Sequence, residues 1–205
     1  MKKIMSIVLT VLLLLALTAC GGQKQEAQTL GGWTLTEDAA LTQEAKDALE
    51  GALEGLVGVN YTPVALLGTQ LVSGTNYCFL CEAAVVRPDA QPYYALVSVY
   101  QDLQGKAEIR SIVALDLGKI EESGTIEDSQ PEGRLLGGWQ VDRETSLEVP
   151  DGVLHLASQT VAGTNHVVLC KGWSLCFVSA DTQGKTEVVK SVPLDIAALS
   201  QPAEG

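Results

Sequence analysis

The sequence predicts an α+β architecture: one helix and an antiparallel meander, followed by an abridged copy of the meander without the helix. Three features of the 205 residues predict it. Helical periodicity is strong in only one stretch, β-favouring runs broken by turn signals fill most of the rest, and short motifs recur in the same order at shrinking offsets.

The helix comes first. Ala45, Ala48, Leu49, Ala52, Leu53, Leu56 and Val57 recur at helical spacing, while Gln43, Glu44, Lys46, Asp47, Glu50 and Glu54 fill the opposite face. Thr42 is a suitable N-cap and Gly58 a suitable stop. Gly51 and Gly55 each cost a helix up to about 1 kcal/mol relative to Ala, and small residues there allow close approach of a sheet.

Strands are predicted over residues 61–72, 75–86, 93–101 and 107–117, joined by the turn-like segments "RPDAQP" and "DLQGK". A second set covers residues 154–160, 165–171, 175–180 and 186–196. Between the sets, "GKIEESGTIEDSQPEGRL" (118–135) is polar and acidic and reads as a linker. "LGGW" occurs at 30 and 136, an offset of 106; "QLVSGTN" at 70 returns as "QTVAGTN" at 159, an offset of 89; "QGK" (104, 183) and "ALDL" against "PLDI" (114, 193) are offset by 79. Thus 106 − 89 = 17 residues are missing from the helix interval of the second copy, where Pro150 and Gly152 also oppose a long helix. A further 89 − 79 = 10 are missing before its last two strands. The expected organisation is a first domain at 30–117, a linker at 118–135, a truncated repeat at 136–198 and a tail at 199–205. The helix-less copy must bury its sheet elsewhere, most simply against the first domain.

The N-terminus reads as an export signal: a basic start at Lys2 and Lys3, then an apolar run from Ile7 to Leu17. Its end, Leu17-Thr18-Ala19-Cys20 before Gly21-Gly22, is similar to the cleavage box of bacterial lipoproteins. That resemblance implies a signal peptide over 1–19, a lipid on Cys20, a tether over 20–29, and an exported protein held on the extracytoplasmic face of the cell membrane by acyl chains. Removing Lys2 and Lys3 moves the formal charge from −12 to −14, which excludes nucleic acid as a partner.

Of the remaining cysteines, Cys78 and Cys81 are three apart in a strand and cannot pair with each other. Cys170 and Cys176 flank "KGWSL" and can face each other across a hairpin, leaving a disulfide open; with His166 nearby a metal site is conceivable, but buried free thiols are the reading adopted. His155 and His166 read as ordinary strand or loop residues, and the acidic helix face as solvated surface. No nucleophile elbow, phosphate loop, zinc motif or dinucleotide fingerprint occurs, so neither cofactor nor metal is expected and a non-enzymatic role is.

The order of the first copy, a Gly pair, a helix, a strand and then Gln-x-Val-x-Gly at a hairpin, resembles the cystatins, especially the disulfide-free stefin and plant types. The resemblance spans roughly residues 30–117 and, in part, the second copy. It implies a sheet wrapped on one helix, and a wedge that enters the cleft of papain-like cysteine proteases and occludes it. Carried over, the wedge is Gly31 and Gly32 with Gln70, Leu71, Val72, Ser73 and Gly74; a weaker counterpart is Gln159, Thr160, Val161, Ala162 and Gly163. Gly74 permits a positive φ or a close backbone approach, Val72 offers a stiff apolar group, and Gln70 can brace the turn before binding. The family's second loop should fall at residues 101–106, where "QDLQGK" has neither Pro nor Trp. Three roles therefore stand open: a protease inhibitor, a binding or scaffold lipoprotein contacting another envelope protein, a peptide or a glycan, and an enzyme of unrecognised type.

Overall fold

A computed structural model describes residues 32–127 and 138–201. Its class is sheet-rich α+β, with two five-stranded antiparallel sheets, each a simple meander. Sheet A comprises β1 (Trp33–Leu35), β2 (Val59–Val72), β3 (Gly74–Val85), β4 (Tyr93–Gln101) and β5 (Ala107–Leu115). Sheet B comprises β6 (Gln140–Val141), β7 (Gly152–Val161), β8 (Gly163–Cys170), β9 (Ser174–Ala180) and β10 (Thr186–Pro193), in the same sequential order.

The helix α1 (Gln43–Leu53) starts where the sequence places it, with the Thr42 hydroxyl accepting from Ala45 N at 3.2 Å. It stops earlier than the periodicity suggests, because Gly55 and Gly58 both take positive φ, 82° and 93°. Ala45, Ala48 and Leu49 are buried against Leu66, Tyr77, Phe79, Cys81, Val97 and Val99 on one face of sheet A. At Gly51 an added Cβ would lie 3.8 Å from the Ala107 Cβ, an ordinary contact, so close approach of the sheet does not require glycine there.

The other face of sheet A, with Leu67, Leu80, Tyr94, Leu96 and Leu115, packs on sheet B through Leu156, Leu169, Leu175 and Phe177 in one continuous core. Sheet B thus buries one face against the first repeat. Its outer face holds Val168, Cys170, Cys176 and Val178, the positions equivalent to those under α1, and is covered by Leu147 and Val149. A segment of chain replaces the deleted helix there.

Two short helices complete the repeat. Leu117–Ser123 (α2) lies at the start of the segment read as linker, and Ile196–Leu199 (α3) follows β10. Asp116 and Asp195, 79 positions apart, accept from Lys119 N and Ala198 N as equivalent N-caps. The helices cross over: the Ser111 hydroxyl in β5 donates to the Leu199 carbonyl at 3.2 Å, and Lys190 Nζ in β10 donates to the Glu121 carbonyl. Ser111 and Lys190 are also 79 apart, so the two repeats meet through reciprocal contacts like those of a two-fold dimer.

Candidate functional site

Three segments converge on one edge of sheet A. Trp33 opens β1 opposite Gln70, Ser73 caps the β2–β3 hairpin between the partners Val72 and Gly74, and Thr75 lies opposite Gln101, where the β4–β5 turn begins. Antiparallel neighbours with short connections force this: β1 begins, β2 ends, β3 begins and β4 ends at the same edge. Gly32, exposed, belongs to this edge; Gly31 and Cys20 lie outside the described residues.

The hairpin is braced internally. Asn76 Nδ2 donates to Gln70 Oε1 at 2.7 Å across a directly paired position, and the Tyr100 hydroxyl donates to the Ser73 carbonyl at 2.6 Å. Gly74 has φ 129°, and a Cβ on it would collide with the Gln101 carbonyl oxygen and lie 2.8 Å from Tyr100 Cε2. The positive φ expected there is present, and the close approach is to the protein's own β4. The neighbouring turn is held by Asp102 Oδ1, which accepts from Gln104 N and Lys106 N at 2.9 Å each. Apolar side chains remain at the tips: Val72 is 39% and Leu103 77% exposed, with Leu71 beside them as open as Val72.

The second repeat reproduces the frame. Asn165 Nδ2 donates to Gln159 Oε1 at 3.2 Å, Gly163 has φ 125° with its Cβ direction blocked by the Ala180 carbonyl, and Asp181 accepts from Gln183 N and Lys185 N. Thr160, Val161 and Ala162 form this tip, with Val161 50% exposed. Its counterpart of Tyr100 is Ser179, which lacks the reach to brace the apex. Sequence reading missed Tyr100, although the alignment of "VYQD" with "VSAD" marks it as the difference between the copies.

The two hairpins do not form one surface. Tyr94 and Glu82, in the half of sheet A away from its hairpin, meet the Leu156 carbonyl (2.7 Å) at the middle of β7 and Arg143 (3.6 Å) just past β6. Conversely α3, leaving the far edge of sheet B, reaches Ser111 and the neighbourhood of Trp33. The repeats are packed head to tail and their hairpin edges point apart.

The histidines, expected as unremarked strand residues, form a buried pair. His155 Nε2 and His166 Nδ1 are 3.0 Å apart, and His155 Nδ1 lies 2.6 Å from the Asp142 carbonyl, which fixes it as the donor there. The neutral pair then has His166 Nδ1–H donating to His155 Nε2. Burial, then the neighbouring His155, push the His166 pKa down, with Asp142 opposing. For Asp142 burial pulls upward, but hydrogen bonds from Thr145 and Glu144 and the nearby His155 leave it below its usual value.

All four cysteines of the described residues are free and buried. Cys170 and Cys176 share the outer face of adjacent strands but are offset, Cys170 pairing with Ser174 and Cys176 with Val168. Burial, then the hydrogen bond its S–H gives to Cys176, push the Cys170 thiol up to about 12. Burial pushes the Cys78 thiol up to about 11 and that of Cys81 higher. All four thiols pack in the protein's cores. Among the described residues no cluster of three or more metal-ligating side chains assembles, and no helix is long and apolar enough to cross a membrane.

No family model, curated protein or solved structure matches this chain.

Proposed function

We propose that this protein is a non-enzymatic lipoprotein of the cell envelope, exported and tethered through Cys20, whose first repeat is a cystatin-like wedge that occludes the cleft of a papain-like cysteine protease. The observation that carries this reading is the convergence of Trp33, the Gln70–Gly74 hairpin and the Gln101–Lys106 turn on one braced edge. A tip fixed by the Gln70–Asn76 and Ser73–Tyr100 bonds loses little entropy on docking, and Leu71, Val72 and Leu103 supply apolar contact. Leu103 stands where the family's Trp would be, so affinity is expected below that of a complete wedge. The tether from Cys20 to Trp33 is 33 − 20 = 13 residues, a reach of at most about 45 Å.

A second reading, a binding or scaffold lipoprotein, is favoured by a different observation. The Gln and Gly shared by both copies of the motif are already engaged within the fold, where Gln accepts from Asn and Gly makes room for a carbonyl. The motif's recurrence is thus explained by hairpin folding alone.

Residues 21–205, titrated into papain at nanomolar enzyme, separate the two. Inhibition abolished by Val72→Asp and Leu103→Asp, both exposed positions, supports the wedge. An uninhibited enzyme at micromolar protein overturns the wedge and favours the scaffold reading.

A further inference from the structure

Equivalent positions of the two repeats differ sharply in one corner. In the second repeat Trp139 is 1% exposed and meets Phe177 edge-on, with ring centroids 5.9 Å apart. Phe177 is paired with Val167 and Lys190; the first-repeat residue paired with Cys78 and Ser111, their counterparts, is Ser98. The residue bulged out of β10 is Val189, and the one bulged out of β5 is Arg110. With Ser and Arg in place of Phe and Val, Trp33 has no aromatic partner at that position. A cavity of about 190 Å³ opens among Trp33, Gln70, Asn76, Ser98, Arg110 and Ser200.

Three of these residues carry a buried polar atom with no nitrogen or oxygen hydrogen-bond partner in the protein: Asn76 Oδ1, Ser98 Oγ and Ser200 Oγ. Ser98 is 3% exposed. Ser98 and Ser200 flank the Cys78 thiol, a weak partner for either. Leaving such groups unsatisfied is costly; in the second repeat Phe fills the position of Ser98, and the one unpartnered buried atom of its Trp139–Phe177 pair is the indole Nε1. Packing therefore does not demand a polar corner.

We propose that this cavity binds a small carboxylate that also bears a hydrogen-bond donor, with an α-amino acid as the fitting class. Arg110 is the one charged residue of the lining, and its guanidinium keeps N–H groups beyond the one given to Glu108 at 3.2 Å. It faces the carboxylate. Asn76 has its amide nitrogen committed to Gln70, which turns Oδ1 towards an incoming N–H or ammonium. The hydroxyls of Ser98 and Ser200 donate or accept as the ligand requires. A simple anion leaves Asn76 unpaired, and a simple amine confronts Arg110. The modest volume of the cavity suits a small amino acid.

Calorimetric titration of the full chain in mild detergent tests this. The probes are the standard L-amino acids to about 10 mM, above the millimolar Kd suited to so few atoms, with acetate and methylamine as half-ligands and N-acetyl-L-alanine as a mimic of a peptide terminus. Saturable binding of at least one small amino acid, stronger than either half-ligand, is expected. Ser98→Phe and Arg110→Val, which install the residues of the second repeat, should each weaken it at least about tenfold. Arg110 is exposed, so Arg110→Val keeps the test valid if Ser98→Phe does not fold. Binding of N-acetyl-L-alanine alone would retain the site and assign its ligand to a peptide terminus. Absence of saturable heat with every amino acid and with N-acetyl-L-alanine, unchanged affinity in Arg110→Val, or acetate binding as well as the best amino acid would overturn the proposal.

Discussion

Asn76 Nδ2 donates to Gln70 Oε1 at 2.7 Å, and 89 residues later Asn165 donates to Gln159 in the same way. The first and last residues of the repeated "Q…GTN" motif are thus one cross-strand brace. Asn76→Ala is expected to cost about 1 kcal/mol in chemical denaturation, and to increase hydrogen exchange at residues 71–75 without changing the rest of sheet A. An unaltered exchange pattern there would mean that the brace does not hold the tip.

Glycines at different places in the first repeat should respond with opposite signs. Gly51 lies inside α1 with only an ordinary contact awaiting a Cβ, so Gly51→Ala should stabilise by about 0.5–1 kcal/mol. Gly74 combines positive φ with a blocked Cβ direction, and Gly74→Ala should cost more than about 2 kcal/mol. Thermal unfolding of the two variants decides it; a harmless Gly74→Ala would contradict the close approach of β4.

The core shared by the sheets predicts that neither repeat is self-sufficient. Residues 32–127 alone would expose Leu67, Leu80, Leu96 and Leu115 to water and should self-associate on size exclusion, whereas the whole chain should melt as one unit. Within the whole chain, Tyr94→Phe removes the bond to the Leu156 carbonyl. That carbonyl also accepts from Asp142 N, so the expected loss is only about 1 kcal/mol. A monomeric, cooperatively melting first repeat would refute the shared core.

His166 gives the fold an acid sensitivity. Its pKa is depressed in the folded chain, so below the ordinary value of about 6.5 the unfolded chain binds more protons. Its contribution is fully present above that value and is lost as pH falls through the folded value. The Asp142 contribution runs lower, present above about pH 4 and lost as its own depressed folded value is passed. Between pH 7 and 5, wild type should therefore lose more thermal stability than His166→Gln; parallel losses would exclude the histidine pair as the cause.

Much of this architecture is legible in the residues because it is local. Helix spacing at 43–53, the Thr42 cap, turn residues at 102–105 and 181–184, and the offsets 106, 89 and 79 all reflect periodicity or short-range hydrogen bonding. The Gln70–Asn76 brace is half visible there, since a glutamine at Gln70 can be expected to bond across the turn. Its partner is not, because side-chain pairing depends on strand register. The helix at the start of the linker escapes because seven residues of α2 are too few for a periodic signal, though Asp116 repeats the cap at Asp195.

The sequence by itself determined the number of repeats, where the second was cut, and which end of each strand carries a hairpin, because motif order and alternation act along one chain. Tertiary structure alone decided that the sheets pack head to tail, so the hairpins point apart, and that His155 meets His166. It also decided that Ser98 and Arg110 leave a polar cavity where Phe177 and Val189 stand in the other repeat. These are contacts between distant segments, set by how two faces fit and by which buried groups find partners, and nothing in local spacing encodes them.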